Sequence, residues 1–411
     1  MRARRFSLPL SAWPATLLFA SLSALSPLGM DSYLPAVEHF AASLGVSSKQ
    51  ASWTLSNFLI GLGLGQLVGG AFSDQLGRRP LAIAGLLLYI VSCFVIALKE
   101  SLFIASLFRL FQGAGGGIMM VCGIAMLKDT TLPERLAERL ALAVFIVTIM
   151  PVVAPIIGSI ILLFAPWPVI FMVCGAAAGL LLIVVLILVP ETHRQRGGSW
   201  SVVQALRQYR YIILFKTDGK YIALVHTFSI CFGSSIILVF VTNAPSMLLT
   251  YYGLNSQQFP LAFGVVILAM LSGNRIGRIL LRRMSPQRLF VKGVFFQVFC
   301  VSALFVLCLF VPKPSLFLLL PGIMLGAGTF SAMGPAAQAI YLNLFDRYYG
   351  SATALENALR FAWGGFWGGV AVSLPLRPEL AMVTVLFVGI LLSLLCLSYT
   401  RSHWLPGQRL L

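Results

Sequence analysis

Apolar residues fall into long continuous runs near positions 13–37, 51–72, 81–98, 101–127, 140–164, 167–189, 221–249, 257–281, 289–311, 315–342, 350–374 and 379–399. The runs show no polar–apolar alternation, so they predict helices and not barrel strands. About 20 apolar residues carry a helix across the hydrocarbon core of a bilayer. Only helices and closed barrels satisfy their backbone polar groups there. The pattern therefore predicts an all-α membrane protein with twelve transmembrane helices. The third and sixth runs are interrupted least, and the seventh and eleventh are the most polar.

Composition sharpens this reading. The chain has 411 residues, 59% hydrophobic and 10% charged, against roughly 25% charged in an ordinary soluble protein. Too little polar surface remains to cover a soluble core of that size. The N-terminus resembles a secretory signal, with Arg2, Arg4 and Arg5 ahead of an apolar stretch. That stretch continues to Val37, long enough to span, which argues for a retained first helix. The cysteines (Cys93, Cys122, Cys174, Cys231, Cys300, Cys308, Cys396) lie in or beside apolar runs without CxxC spacing. They are expected to be small packing residues, and no metal site is expected.

The formal net charge of +17 would suggest nucleic acid in a soluble chain. Here the cations fall in alternate connections. One set holds Arg78 and Arg79; Lys128, Arg135 and Arg139; Arg194 to Lys216; Arg282, Arg283 and Arg288; Arg347; and both termini. The other holds little beyond Lys49, Lys99, Lys313 and Arg377. Lys and Arg are retained on the cytoplasmic side, so both termini are expected inside. Attraction to anionic lipid is secondary. No nucleic-acid partner is expected.

The longest connection, residues 191–220, contains a flexible Arg196-Gly197-Gly198-Ser199. An interfacial helix is expected after it, with Trp200, Val203, Leu206, Tyr209 and Ile213 opposed by Arg207 and Arg210. It divides an N-terminal six-helix bundle (1–190) from a C-terminal one (221–411). The clearest internal echo is Gly77-Arg78-Arg79-Pro80 against Arg282-Arg283-Met284-Ser285-Pro286. Two pseudo-symmetric bundles place a substrate path near the midplane.

Few residues carry candidate chemistry. Between the second and third runs lies Gly70-Ala71-Phe72-Ser73-Asp74-Gln75-Leu76-Gly77-Arg78-Arg79-Pro80. By physics alone it is a topogenic loop whose Gly77 permits an unusual backbone angle and whose Asp74 caps a helix or pairs with an Arg. Arg109 interrupts the fourth run, in Arg109-Leu110-Phe111-Gln112-Gly113, about eight residues or roughly 12 Å from the run's start. An Arg at that depth is costly unless paired or hydrated; the alternative is snorkelling to the interface. Asp31 in the first run comes out at similar depth and is its natural partner. Burial and a nearby guanidinium act oppositely on a carboxyl's protonation. The alternative for Asp31 is a cap near the helix end that Pro35 announces. The fifth run holds Pro151, Pro155 and Gly158, a kinked and close-packing helix. The eleventh holds Glu356 and Arg360 at i,i+4, either a self-neutralising pair or a substrate contact. Gln112, His226 and Asn243 join them as candidate cavity residues, with Trp363 and Trp367 equally readable as packing.

These strings resemble the major facilitator superfamily. G-x-x-x-D-x-x-G-R-R resembles its loop signature, which implies a gating role for Gly70, Asp74, Gly77, Arg78 and Arg79. R-x-x-Q-G resembles its fourth-helix motif, which implies proton transfer at Arg109. D-x-Y-L-P-A, with A-P-x-x-G in the fifth run, resembles the Bcr/CflA drug-resistance transporters, although Ala154 and Ser159 replace glycines of the usual antiporter motif. The resemblance implies a major facilitator fold and a proton-coupled antiporter of the bacterial inner membrane. It would export a small amphipathic molecule, need no cofactor beyond the proton gradient, and work as a monomer. Export of an endogenous metabolite such as a siderophore, and nutrient import, remain open. An enzyme is not expected, because no Walker loop, HExxH or GxSxG occurs.

Overall fold

A computed structural model describes residues 12–192, 202–217, 219–345 and 349–404; the side chains of Ala12, Asp74, Val202, Gln204, Ala205, Tyr349 and 401–404 are excepted. Arg2, Arg4, Arg5, Arg194, Arg196 to Trp200, Arg347 and Arg409 lie outside these limits. The described chain is helical, with no β-strand among the described residues. In the first half the helices are α1 (Ala12–Asp31), α2 (Val37–Ser43), α3 (Ser48–Leu76), α4 (Arg78–Leu98), α5 (Leu102–Thr130), α6 (Pro133–Phe164) and α7 (Pro168–Leu188). A linker helix follows, α8 (Val202–Leu214). The second half has α9 (Ile222–Ala244), α10 (Phe259–Leu280), α11 (Pro286–Phe310), α12 (Leu316–Leu342), α13 (Tyr349–Ser373) and α14 (Pro378–Trp404). A 3-10 turn (Leu34–Ala36) joins α1 to α2, and a π-helical segment (Pro245–Tyr251) extends α9.

Ten of these helices are long and apolar enough to cross a membrane. The two long helices outside that set are α1 and α13. They are the ones that carry Asp31, and Glu356 with Arg360. The seventh run, expected to be among the most polar, qualifies as α9. With α1 and α13 the twelve expected spans are all present as helices.

Local chemistry sets the helix boundaries. Ser101 accepts a hydrogen bond from Ile104 N (3.5 Å) at the start of α5, and Ser285 accepts one from Arg288 N (3.3 Å) at the start of α11. Both are N-caps that satisfy otherwise orphaned donors. Prolines occupy the first helical position of α6, α7 and α11, where no N–H is needed.

The residues group into two compact units. The first takes 1–46 and 57–205; the second takes 47–56 and 206–411. Within the first, α3 and α5 meet backbone to backbone. A β-carbon on Gly61, Gly65, Gly113 or Gly117 would strike a main-chain carbonyl of the facing helix. Within the second, α10 and α12 meet in the same way, Gly273 against the carbonyl of Gly328 and Gly277 against that of Ala332. Small residues allow such approach in a medium that offers no hydrophobic drive between helices.

Candidate functional site

Arg109 is the most completely enclosed cation among the described residues of the first unit, 1% exposed. It lies about 10 Å along α5 from Leu102. Its Nη1 donates to the carbonyl oxygen of Gly29 (3.0 Å) and to Gln112 Oε1 (2.7 Å). Gln112 Nε2 in turn donates to Cys93 Sγ (3.1 Å). The guanidinium carbon sits over three rings, 4.5 Å from Phe58, 5.0 Å from Tyr33 and 5.6 Å from Phe171. Ring faces attract a desolvated cation by up to about 2 kcal/mol each. They compensate in part for Nε and Nη2, which have no hydrogen-bond partner.

Asp31 closes α1 and is 5% exposed. It lies within electrostatic range of Arg109 but forms no ion pair with it within 4.0 Å. This corrects the expected direct partnership. The α1 helix ends at Asp31 and passes into the 3-10 turn, so the carbonyl of Gly29 meets the guanidinium instead of the carboxylate. The shared depth of the two residues holds.

The fifth-run motif reaches this corner. A β-carbon on Gly158 would strike the carbonyl oxygen of Ser32, the residue after Asp31, with Pro35 Cγ 3.2 Å away. Glycine there lets α6 press on the end of α1. Pro151 and Pro155 lie inside an α6 that runs unbroken through both. Beside them, Ser32 Oγ and Cys174 Sγ are 3.6 Å apart, and Tyr89 Oη donates to the carbonyl of Leu25 (2.9 Å).

At the other end of the first unit, Gly77 takes φ 94° and forms the N-cap of α4. A side chain is strained at that angle, and its β-carbon would also meet the Glu191 carboxylate. Arg78 Nε pairs with Asp129 Oδ2 (2.7 Å), and Arg78 N donates to Glu191 Oε1 (3.0 Å). Thr192 Oγ1 donates to Asp129 Oδ2 (3.3 Å), and Arg79 Nη2 donates to the carbonyl of Leu186 (2.8 Å). Gly70 lies one and a half turns before the end of α3. The Asp74 side chain is outside the described set. Asp129 and Glu191, which hold the loop, carried no local motif and were not singled out from the sequence.

Gln112 belongs to the Arg109 network. His226 is fully buried, its Nε2 2.9 Å from the carbonyl of Ala337 and its ring 4.9 Å from that of Phe290. Asn243 Nδ2 donates to the carbonyls of Val239 (2.8 Å) and Gly368 (3.3 Å). Both read as packing residues of α9. Glu356 is 2% exposed with Oε2 unpartnered. Arg360 Nη2 donates to Asn357 Oδ1 (2.7 Å) and makes no ion pair with Glu356 within 4.0 Å. Of the two readings left open, the i,i+4 ion pair is not formed, and Arg360 instead makes an i,i+3 contact with an amide. Trp363 packs on Phe228 and Phe232, with ring centroids 5.5 and 5.2 Å away.

A buried guanidinium beside a buried carboxyl in a chain of membrane-length helices marks a candidate functional site. The sequence profile of the Major Facilitator Superfamily matches residues 19–369. The chain belongs to that superfamily. It is a multi-pass membrane transporter and not an enzyme. Among curated relatives, a bicyclomycin resistance protein homolog of Haemophilus influenzae is 24% identical over 387 residues, covering 94% of this chain and 96% of the relative. A chloramphenicol resistance protein of Pseudomonas aeruginosa is 27% identical, covering 99% and 96%. The Bcr/CflA-type resemblance of the first and fifth helices agrees with these matches. Among solved structures, the xylose transporter XylE of Escherichia coli in a partially occluded inward-open conformation aligns with TM-score 0.71. It has 14% identity and covers 97% of this chain and 99% of that one. A POT family transporter in complex with 5-aminolevulinic acid aligns with TM-score 0.73 at 13% identity, covering 95% and 96%. At those identities the likeness carries the fold alone.

Proposed function

We propose that this transporter exports small amphipathic compounds, drugs among them, from the bacterial cytoplasm in exchange for protons, with both termini inside. The observation that carries the reading is Asp31: a buried carboxyl within range of the Arg109 charge yet outside ion-pair contact with it. A carboxyl locked in a tight salt bridge resists protonation, and one far from any cation has no means of reporting it. At intermediate distance, gain or loss of a proton alters the field at Arg109 while Gly29, Gln112 and the three rings keep the guanidinium in place. Gly158 presses α6 on the neighbouring Ser32, so a change at Asp31 bears directly on helix packing. Full-length similarity to proteins named for resistance to bicyclomycin and chloramphenicol supports outward transport of such compounds. The proton gradient supplies the energy, and the functional unit is one chain.

The test is growth of an efflux-deficient bacterial host expressing this chain on a panel including chloramphenicol and bicyclomycin. Protection against several unrelated compounds is expected. Normal expression with no protection would overturn drug export. It would favour a dedicated metabolite, a reading to which the unpaired Glu356 lends weight because a buried carboxylate oxygen without a partner suits a specific donor group.

A further inference from the structure

Residues 221–345 contain no Asp or Glu. Within that stretch α10, the turn that follows it and the start of α11 carry Arg275, Arg278, Arg282, Arg283 and Lys292, all exposed. None of these five has an ion-pair partner among the described residues. Some other basic residues of the chain are engaged: Arg78 by Asp129, Arg79 by the carbonyl of Leu186, Arg139 over the Trp13 ring, Arg377 by the carbonyl of Cys308. Topogenic charge requires a count of cations on one side. It does not require that they gather beside an open groove.

Such a groove is present. Helices α10, α11 and α12 line a groove of about 830 Å³, with apolar side chains such as Leu268, Ile276, Phe296 and Leu325 on its walls. Along α10 it extends from Val265 to Leu280, about 22 Å of helix rise, and Met284 continues it into the α10–α11 turn. That is about three quarters of the hydrocarbon thickness of one bilayer. Lys292 is the one charged residue of the lining. Arg275, Arg278 and Arg282 line an adjoining depression of about 380 Å³ on the neighbouring stripe of α10. The cations therefore collect at the end of the groove nearest the α10–α11 turn. The rest of its length is apolar.

We propose that this groove is a binding site for one anionic diacyl phospholipid. An acyl chain lies along α10 and α12, and the phosphate headgroup rests on Arg278, Arg282 and Lys292. The lipid belongs to the leaflet that faces the α10–α11 turn. A zwitterionic lipid satisfies the groove but not the shelf. A free anion satisfies the shelf but leaves the groove empty. Cationic pockets between spans at the headgroup level take anionic lipid, each cation contributing about 1 kcal/mol, or about 5-fold in affinity. Because α12 meets α10 by direct backbone contact at Gly273 and Gly277, the seated lipid would brace that helix pair.

The experiment is native mass spectrometry of the full-length protein, purified in detergent and offered phosphatidylglycerol or phosphatidylethanolamine. The wild type is expected to retain phosphatidylglycerol over phosphatidylethanolamine. The R278Q/R282Q/K292Q variant is expected to lose that preference by about 5-fold per cation removed. Ser272→Phe, which fills the groove without touching charge, should lose the adduct as well. Equal retention of the two lipids by the wild type overturns the proposal, as does unchanged preference in the triple variant. Retention by Ser272→Phe alongside loss in the triple variant overturns occupancy of the groove. If the triple variant is not monodisperse by gel filtration, Lys292→Gln alone carries the same prediction at about 5-fold.

Discussion

Arg109 Nη1 donates to the carbonyl oxygen of Gly29 at 3.0 Å, two residues before Asp31 on the same helix. The guanidinium is thus anchored by main chain, by Gln112 and by rings, and the nearby carboxyl is left free of it. Lysine at this position keeps the charge but loses the fork and the flat face that stacks on aromatics. Arg109→Lys should insert and purify normally yet lose coupled transport by about tenfold or more, as expected for a hydrogen bond to a buried charge worth about 1.5 kcal/mol or more. Transport rates in reconstituted vesicles check this. Wild-type rates would show that the two-point anchorage is dispensable.

Gly158 has no room for a side chain against the carbonyl of Ser32. Gly158→Ala should lower stability by about 1–3 kcal/mol, the usual cost of overpacking a close contact. It should slow transport more than Ala154→Gly, which only removes a methyl beside it. Thermal unfolding in detergent and transport rate, measured on both variants, decide the matter.

The pairing of Arg78 with Asp129 is half screened, with side-chain exposures of 12% and 21%. A double-mutant cycle of Arg78→Gln and Asp129→Asn should give a coupling of about 1 kcal/mol in stability, the upper end for pairs near a surface. Transport should slow in each single variant while substrate affinity stays unchanged, since neither side chain lies near Arg109. A fall in affinity equal to the fall in rate would place this loop in binding instead of gating.

The spans were legible because a bilayer accepts only long apolar helices, so each crossing must leave an unbroken run. The two long helices that fall short of that standard are α1, diluted by serines and prolines ahead of a terminal Asp31, and α13, where Glu356, Asn357 and Arg360 interrupt the run. Arg109 was legible for the same reason: a cation so far inside a span needs an explanation. Its ring partners were not. Phe58 and Phe171 come from α3 and α7, and with 30 phenylalanines in the chain no pattern marks the two that face a guanidinium. Asp31 and Arg109 share a depth without an ion pair because depth along a helix axis fixes height and not direction. The end of α1 at Asp31 turns a carbonyl toward Arg109. Of the two readings open for Glu356 and Arg360, the ion pair is absent for a related reason: i,i+4 spacing permits a contact, while Asn357 one position nearer competes for the guanidinium.

That competition is itself testable. Because Arg360 bonds Asn357 and not Glu356, the effects of Glu356→Gln and Arg360→Gln on stability should add to within about 0.5 kcal/mol. Asn357→Ala and Arg360→Gln should couple instead, by about 1 kcal/mol. Thermal unfolding of the single and double variants reads both cycles.

The account turns on Asp31 as the proton-carrying group. Its most direct test is efflux from membrane vesicles driven by an imposed pH gradient, comparing wild type with Asp31→Asn. An amide keeps the shape and polarity but cannot exchange a proton. The account predicts that Asp31→Asn binds substrate and is inserted at normal level, yet shows no acceleration when the gradient is applied. Gradient-driven efflux at the wild-type rate in Asp31→Asn would contradict it.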